Sequence, residues 1–214
     1  MGTVIFVGGA TASGKSTLVK ELNTQIPNSQ MYRRYQGFFD IAKEKGISND
    51  EIFNQVESYE VDDWFVNKCC STDVLISDVH YAVQMNRDVE DQNVNIYQAY
   101  VGTISDDLIQ KLLASGIEII AIHLSCNPNT CLKRAKERFN KHEKGLRAKS
   151  LLDVELENNA EKREWLKLCS ISGVKSLELN SDLMNSNELV DCCLDILSES
   201  TKKTLCKRNR KPMV

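Results

Sequence analysis

Val4-Ile5-Phe6-Val7-Gly8-Gly9-Ala10-Thr11-Ala12-Ser13-Gly14-Lys15-Ser16-Thr17 begins as a β-branched apolar run, breaks into small residues and passes into a helical pattern that continues through Asn23. The run has the length and composition of a buried strand. Within the break, Gly9 to Ser16 satisfies G-x-x-x-x-G-K-[ST], the spacing of a phosphate-binding loop. Each residue type has a task there. Gly9 and Gly14 let the backbone turn tightly and approach an anion with no Cβ in the way. Lys15 neutralises β/γ phosphate oxygens, and the Ser16 hydroxyl is suited to Mg²⁺. The following helix turns its free N–H groups and positive dipole end toward the same anion. Gly9, Ala10, Thr11, Ala12, Ser13, Gly14, Lys15, Ser16 and Thr17 are therefore the candidate nucleotide-binding residues. The competing reading, a Gly/Ser-rich turn with an incidental lysine, leaves the strand before it and the helix after it without a purpose.

Outward from this loop, strands and helices alternate. The first helix is expected to end near Pro27, and a short strand fits the polar segment Asn28–Tyr35, which carries Arg33 and Arg34. Gly37 to Lys45 has helical spacing, contains Asp40 and stops at Gly46. Ser48-Asn49-Asp50-Glu51 reads as the cap of one further helix, with Ile52, Val56, Tyr59 and Phe65 on its apolar side. Asp73–His80 is a second apolar run ending in an acid. In a parallel sheet that acid, Asp78, emerges at the carboxyl edge where ligands bind. Asp78 is a candidate to hold Mg²⁺ through a metal-bound water, the alternative being a cap of the next loop. His80 reads either as a hydrogen-bonded loop histidine or as a substrate contact. Residues 81–104 read as a long loop with one helical turn at most.

Ser105-Asp106-Asp107 caps a helix ending at Gly116, and Ile117–Leu124 is a third clear strand. Asn127-Pro128 opens a helix on which Arg134 and Arg138, four apart, share a face. A basic stretch containing Arg147 separates it from a long helix over Leu151–Cys169 that bears Arg163. Two helices joined by a cationic segment, about 134–163, read as a lid that brings guanidinium groups over phosphates, the alternative being solvated helix faces. Val174–Asn180 is a further strand, and Ser186-Asn187-Glu188 caps a last amphipathic helix. The alternation implies a parallel sheet with right-handed crossovers.

Composition narrows the classes. At 214 residues the chain fits one domain, expected over 1–199. No apolar run approaches a membrane span, and the short N-terminal run lacks a basic leader, so the chain reads as unprocessed and cytoplasmic. Its eight cysteines form no C-x-x-C pair and are read as reduced thiols. Net charge is −3, yet six cations, Lys202 to Lys211, follow Glu199, so the body is strongly acidic. An acidic body argues against general nucleic-acid binding, which is left to the basic 200–214 tail, itself read as a solvated, unstructured terminus.

Together, Gly9–Thr17, Phe39–Gly46, the Asp-x-His of Asp78 to His80 and the arginines Arg134, Arg138 and Arg147 give a chain that resembles the P-loop kinases of the nucleoside monophosphate kinase type, the archaeal-type adenylate kinases above all. The likeness covers roughly residues 3–197. It implies an α/β fold of the P-loop NTPase type, three layers α/β/α with a five-stranded parallel sheet and a short helical lid. It also implies ATP and Mg²⁺ as cofactors, the ion on Ser16 and water-linked Asp78, with Lys15, Asp78, Arg134, Arg138 and Arg147 as catalytic residues. The acceptor, AMP as first choice, would lie against Arg33, Arg34, Gly37, Asp40 and His80. The sequence departs from that family in the loop, where Pro and Val are usual, and in Tyr32–Phe38. Two other readings stand beside this one: a kinase phosphorylating a hydroxyl, with Asp78 or Asp40 as base, and a nucleotide-binding switch signalling through its basic tail.

Overall fold

The computed structural model describes residues 2–84, 100–142 and 150–208, with side chains at 2–84, 100–138 and 150–197. Five parallel strands make the central sheet: β1 (Thr3–Gly8), β2 (Ser29–Met31), β3 (Val74–Asp78), β6 (Glu118–Ser125) and β7 (Val174–Asn180), in the order β2-β3-β1-β6-β7. β1 lies at the centre, between β3 and β6. Its run is continuously apolar because both faces are covered, and alternate side chains enter two separate cores. Val4 and Phe6 pack with Phe65, Leu108, Leu112 and Trp165. Ile5 and Val7 pack with Leu18, Leu22, Leu189 and Cys193 on the opposite face. All four are 0–1 % exposed, and such burial is worth about 1.5–3 kcal/mol per side chain.

The helices supplying those cores are α1 (Lys15–Gln25) and α8 (Ser186–Arg208) on one face, with α4 (Ser58–Cys70), α5 (Asp106–Ala114) and α7 (Leu151–Cys169) on the other. The expected three-layer α/β/α arrangement with a five-stranded parallel sheet is thus the observed one. α2 (Gln36–Lys45) and α3 (Ile52–Gln55) form a small satellite with α4, and α6 (Pro128–His142) leads toward α7. Local signals behave as their chemistry predicts. Ser105 Oγ accepts from Leu108 N, Asn127 Oδ1 accepts from Asn129 N, and Gly46 ends α2 at φ 71°.

Two expectations are corrected. The single helix from Ser48 divides into α3 and α4, because Val56 is extended and Glu57 with Glu60 forms a new capping box that restarts the helix at Ser58. Tyr59 is consequently 60 % exposed rather than on the apolar side. The loop read over 81–104 contains two short strands, β4 (Ala82–Gln84) and β5 (Tyr100–Gly102), paired antiparallel; residues 85–99 between them lie outside the described residues. Three-residue strands are too short to show period-2 patterning. α8 is described as far as Arg208, in a stretch with no Gly or Pro to stop it, and residues 209–214 of the expected tail lie outside the described residues.

Candidate functional site

The phosphate loop emerges from the carboxyl end of β1 and enters α1 through backbone conformations that small residues allow. Gly9 has φ 143°, Ala12 φ 65° and Gly14 φ 106°. A Cβ on Gly9 would lie 2.4 Å from the Leu124 carbonyl oxygen, so the tight turn demands glycine. Lys15, 7 % exposed, folds its ammonium back onto the carbonyl oxygens of Gly9 and Ala10. Burial lowers its pKa from the ordinary value, against the opposing pull of Glu161, Asp78 and Glu157. The fully buried Ser13 Oγ has no hydrogen-bond partner among the described residues. A cradle of this kind, with a buried cation, an orphaned hydroxyl and the start of a helix, fits a polyphosphate.

Beside it, Ser16 Oγ donates to Asp78 Oδ2 at 2.9 Å, and Arg33 Nη2 reaches the same oxygen at 2.9 Å. Asp78 stands on β3, paired with Val7 of β1, which is why the strand-end acid and the loop hydroxyl meet. One hydroxyl and one carboxylate side by side are the oxygen donors Mg²⁺ takes in a nucleotide site, so these residues fit that ion.

A cleft of about 600 Å³ opens from this point. Its walls include Thr11, Ala12, Gly14, Lys15, Ser16, Arg33, Arg34, Tyr35, Asp78, His80 and Arg138, with Phe6, Val79, Val83 and Ile104 as apolar lining. Arg34 Nε bonds the buried Asp62 Oδ1 at 2.5 Å, and Tyr35 is backed by Phe38, Phe39 and Phe53 at centroid distances of 5.4–6.0 Å. A second cleft, about 390 Å³, joins Thr17 and the loop to Arg134, Arg138, Ser181 and Asn185.

The candidate residues do not all converge. Arg33, Arg34 and His80 line the main cleft, while Gly37 and Asp40 lie outside its lining. Gly37 is packed so close to α4 that a Cβ would come 3.0 Å from Val61, and Asp40 accepts from Tyr32 Oη at 2.6 Å and from Gln36. Arg134 faces Cys126, Ser181 and Asp182. Arg138 is exposed at the border of both clefts, and Arg147 lies outside the described residues.

Two acids of α7 belong to the site and were not singled out from sequence. Glu157 Oε1 accepts from Thr11 N at 2.7 Å and from Thr11 Oγ1 at 2.6 Å, tying α7 to the phosphate loop. Glu161, fully buried, has one oxygen 2.7 Å from His80 Nδ1, and its other accepts from Tyr81 N at 2.7 Å. Burial raises the pKa of Glu161, opposed by His80, by Lys15 and by the Tyr81 N–H. A signal for both existed. Val154, Glu157, Glu161, Trp165 and Leu168 recur at helical spacing, so two acids occupy positions of the apolar stripe, where an unpartnered carboxylate would be costly. The nearest ligand atoms of His80, Glu157 and Glu161 lie within 4.8 Å of one another. Tyr81 itself is buried under the loop, its Oη 3.1 Å from Phe6 O and 2.9 Å from Ile122 O.

Against this geometry, comparison with known proteins is informative at the level of family and fold. The family model described as an AAA domain matches residues 5–164. No curated protein sequence matches the chain. Among solved structures, the chain is similar to the Bacillus subtilis YorR protein in complex with phosphorylated GDP (12 % identity, 94 % of this chain and 98 % of that one, TM-score 0.56). It is similar also to the Deinococcus radiodurans tunicamycin resistance protein (12 %, 92 % and 96 %, 0.54) and to a gluconokinase from Sinorhizobium meliloti (10 %, 96 % and 97 %, 0.52). At such identities the likeness speaks for the fold alone. No described helix is long and apolar enough to cross a membrane.

Proposed function

Because the chain belongs to the AAA domain family and has the fold of P-loop kinases, we propose that it is an ATP-dependent phosphotransferase acting on a small-molecule acceptor. The observation that carries this reading is the single cleft joining the Lys15–Ser16–Asp78 cluster to Arg33, Arg34 and His80, with room for an acceptor next to the donor phosphates. A switch needs a nucleotide site only; a second wall of cations and aromatic rings facing it serves group transfer.

In this mechanism the loop amides and Ser13 Oγ hold the phosphate chain of ATP. Lys15 leaves the Gly9 and Ala10 carbonyls to bridge β and γ oxygens. Ser16, with Asp78 through a water, would hold Mg²⁺, which supplies charge neutralisation on those oxygens. Arg138, at the border of both clefts, and Arg134, in the second, supply guanidinium charge to the phosphates. Catalysis is then positioning and electrostatic stabilisation, and low water content in the closed cleft strengthens every contact.

A nucleoside monophosphate, AMP first, remains one acceptor reading. It draws support from Arg33 and Arg34, whose planar forks suit phosphate, and from the Tyr35 ring at the cleft wall, suited to stacking. A hydroxyl acceptor draws support from His80 on the cleft wall. A coupled assay with ATP over AMP, CMP, GMP and UMP and over D-gluconate, shikimate and deoxyadenosine tests the proposal. Transfer to at least one acceptor, abolished in Lys15→Ala with the fold retained by circular dichroism, is the expected result. Turnover undiminished by Lys15→Ala would refute the donor assignment.

A further inference from the structure

We infer that the acceptor's nucleophile is a hydroxyl group, with His80 as the catalytic base that removes its proton and Glu161 as the residue that positions that base. This rests on the phosphotransferase reading above and specifies its acceptor.

The chemistry separates the two acceptor classes. A phosphate acceptor is already an anion and needs no base, whereas a hydroxyl has a proton that must go somewhere as the oxygen attacks phosphorus. A cleft built for hydroxyls must therefore place a proton acceptor on its wall. The two acids considered for that task from sequence are both committed. Asp78 Oδ2 accepts from Ser16 and Arg33, and Asp40 accepts from Tyr32 and Gln36 away from the cleft lining. Glu157 Oε1 accepts two bonds from Thr11.

His80 has the opposite disposition. Its side chain is 41 % exposed and lines the cleft, while Nδ1 is held 2.7 Å from a carboxylate that is wholly buried. Glu161 is fixed in turn by Tyr81 N on its other oxygen and rides on the buried face of α7. In the neutral ring, a carboxylate at Nδ1 favours the tautomer with hydrogen on that nitrogen, which leaves the lone pair on Nε2. A base is oriented by a third group in this way wherever a hydroxyl must be activated. The Thr103 hydroxyl donates to the His80 carbonyl oxygen, so the backbone is held as well as the ring. Lys15 and His80 line the same cleft, so the base faces the space into which the phosphate loop opens.

The step balances. The hydroxyl oxygen forms a bond to the γ-phosphorus of ATP, and the bond from that phosphorus to the β–γ bridging oxygen breaks with its electron pair on ADP. The hydroxyl proton passes to His80 Nε2 and afterwards to solvent. Glu161 stabilises the imidazolium meanwhile without taking the proton itself.

The test uses the full chain. With ATP and the acceptors named above, transfer is expected to a hydroxyl compound, and His80→Ala lowers kcat by about 10²–10⁴-fold while the Kd for ATP moves less than threefold. Glu161→Gln, an isostere chosen to keep the buried site filled, lowers kcat at least tenfold with KM for the acceptor unchanged; a merely structural role would move KM and melting temperature instead. ¹⁵N NMR of the ring in the free protein is expected to show hydrogen on Nδ1. Transfer to monophosphates alone, a His80→Ala kcat within threefold of the parent, or hydrogen on Nε2 would each overturn the assignment. So would stoichiometric Zn²⁺ binding that Glu161→Gln abolishes, since it would make His80, Glu157 and Glu161 a metal site. No transfer to any acceptor and no ATP hydrolysis would instead refute the phosphotransferase reading beneath it.

Discussion

Replacing Gly8 by alanine tests how the phosphate loop is supported from below. An ideal Cβ at this position would stand 2.2 Å from Tyr81 Cε2 and 2.3 Å from Cδ2. Ordinary contact is about 3.5–4 Å, so the ring must retreat by more than about 1 Å. Retreat pulls on its anchor: Tyr81 is 1 % exposed, and its hydroxyl sits 3.1 Å from Phe6 O on β1 and 2.9 Å from Ile122 O on β6. Overpacking costs about 1–3 kcal/mol, and loss of the buried hydroxyl bond adds about 1 kcal/mol. An unfolding entropy near 2.1 cal/mol/K per residue over 214 residues gives about 0.45 kcal/mol per degree. Gly8→Ala is therefore expected to lower Tm by about 4–9 °C, measured by circular dichroism at fixed concentration. In the Gly8→Ala/Tyr81→Ala double variant the new methyl enters space the ring vacated, so the two effects should fall short of additivity by at least about 1 kcal/mol. A Tm change under 1 °C for the single variant, or strict additivity, would refute the reasoning.

His123, buried with its Nδ1 unpartnered among the described residues and its ring stacked on Trp165 at 5.3 Å, has its pKa lowered by burial to about 4, with Glu178 opposing and Lys162 and Lys15 assisting. The unfolded chain binds that proton near pH 6.5, so the stability is fully present above 6.5 and is lost as pH falls toward 4. Wild type should lose about 3 kcal/mol more than His123→Phe over that window in urea melts, and parallel curves would count against it. Ser16→Ala should raise the Mg²⁺ concentration for half-maximal activity at least tenfold; an unchanged requirement would remove Ser16 from the metal site. Ser150→Ala removes the α7 capping box, in which Ser150 Oγ accepts from Asp153 N, and should cost about 1 kcal/mol with faster amide exchange in the first turn of α7; unaltered exchange would show that the cap is dispensable.

The elements legible in sequence are those whose signal is local. Val4–Val7 had to be a doubly covered strand because no face of it is polar, and Gly9, Gly14 and Lys15 announce an anion site through spacing alone. Caps at Ser105 and Asn127 and the stop at Gly46 are set by side chains a few residues from the backbone groups they satisfy. The break at Val56 is local as well, but its capping box uses Glu57 in place of the Ser, Thr, Asp or Asn that marks a helix start. A longer-range partner decided β4 and β5, which exist only through each other.

The sequence by itself determined the unit of strand, phosphate loop and helix, because every requirement of that unit is met within Val4 to Thr17. Asp78 at the end of its strand was legible too, but the tertiary structure alone decided its neighbours: Arg33 joins Asp78 and Ser16, and Glu161 reaches His80 across 81 residues. The physical reason is that a parallel sheet gathers strand ends far apart in the chain at one edge, and no periodicity records which side chains will meet there.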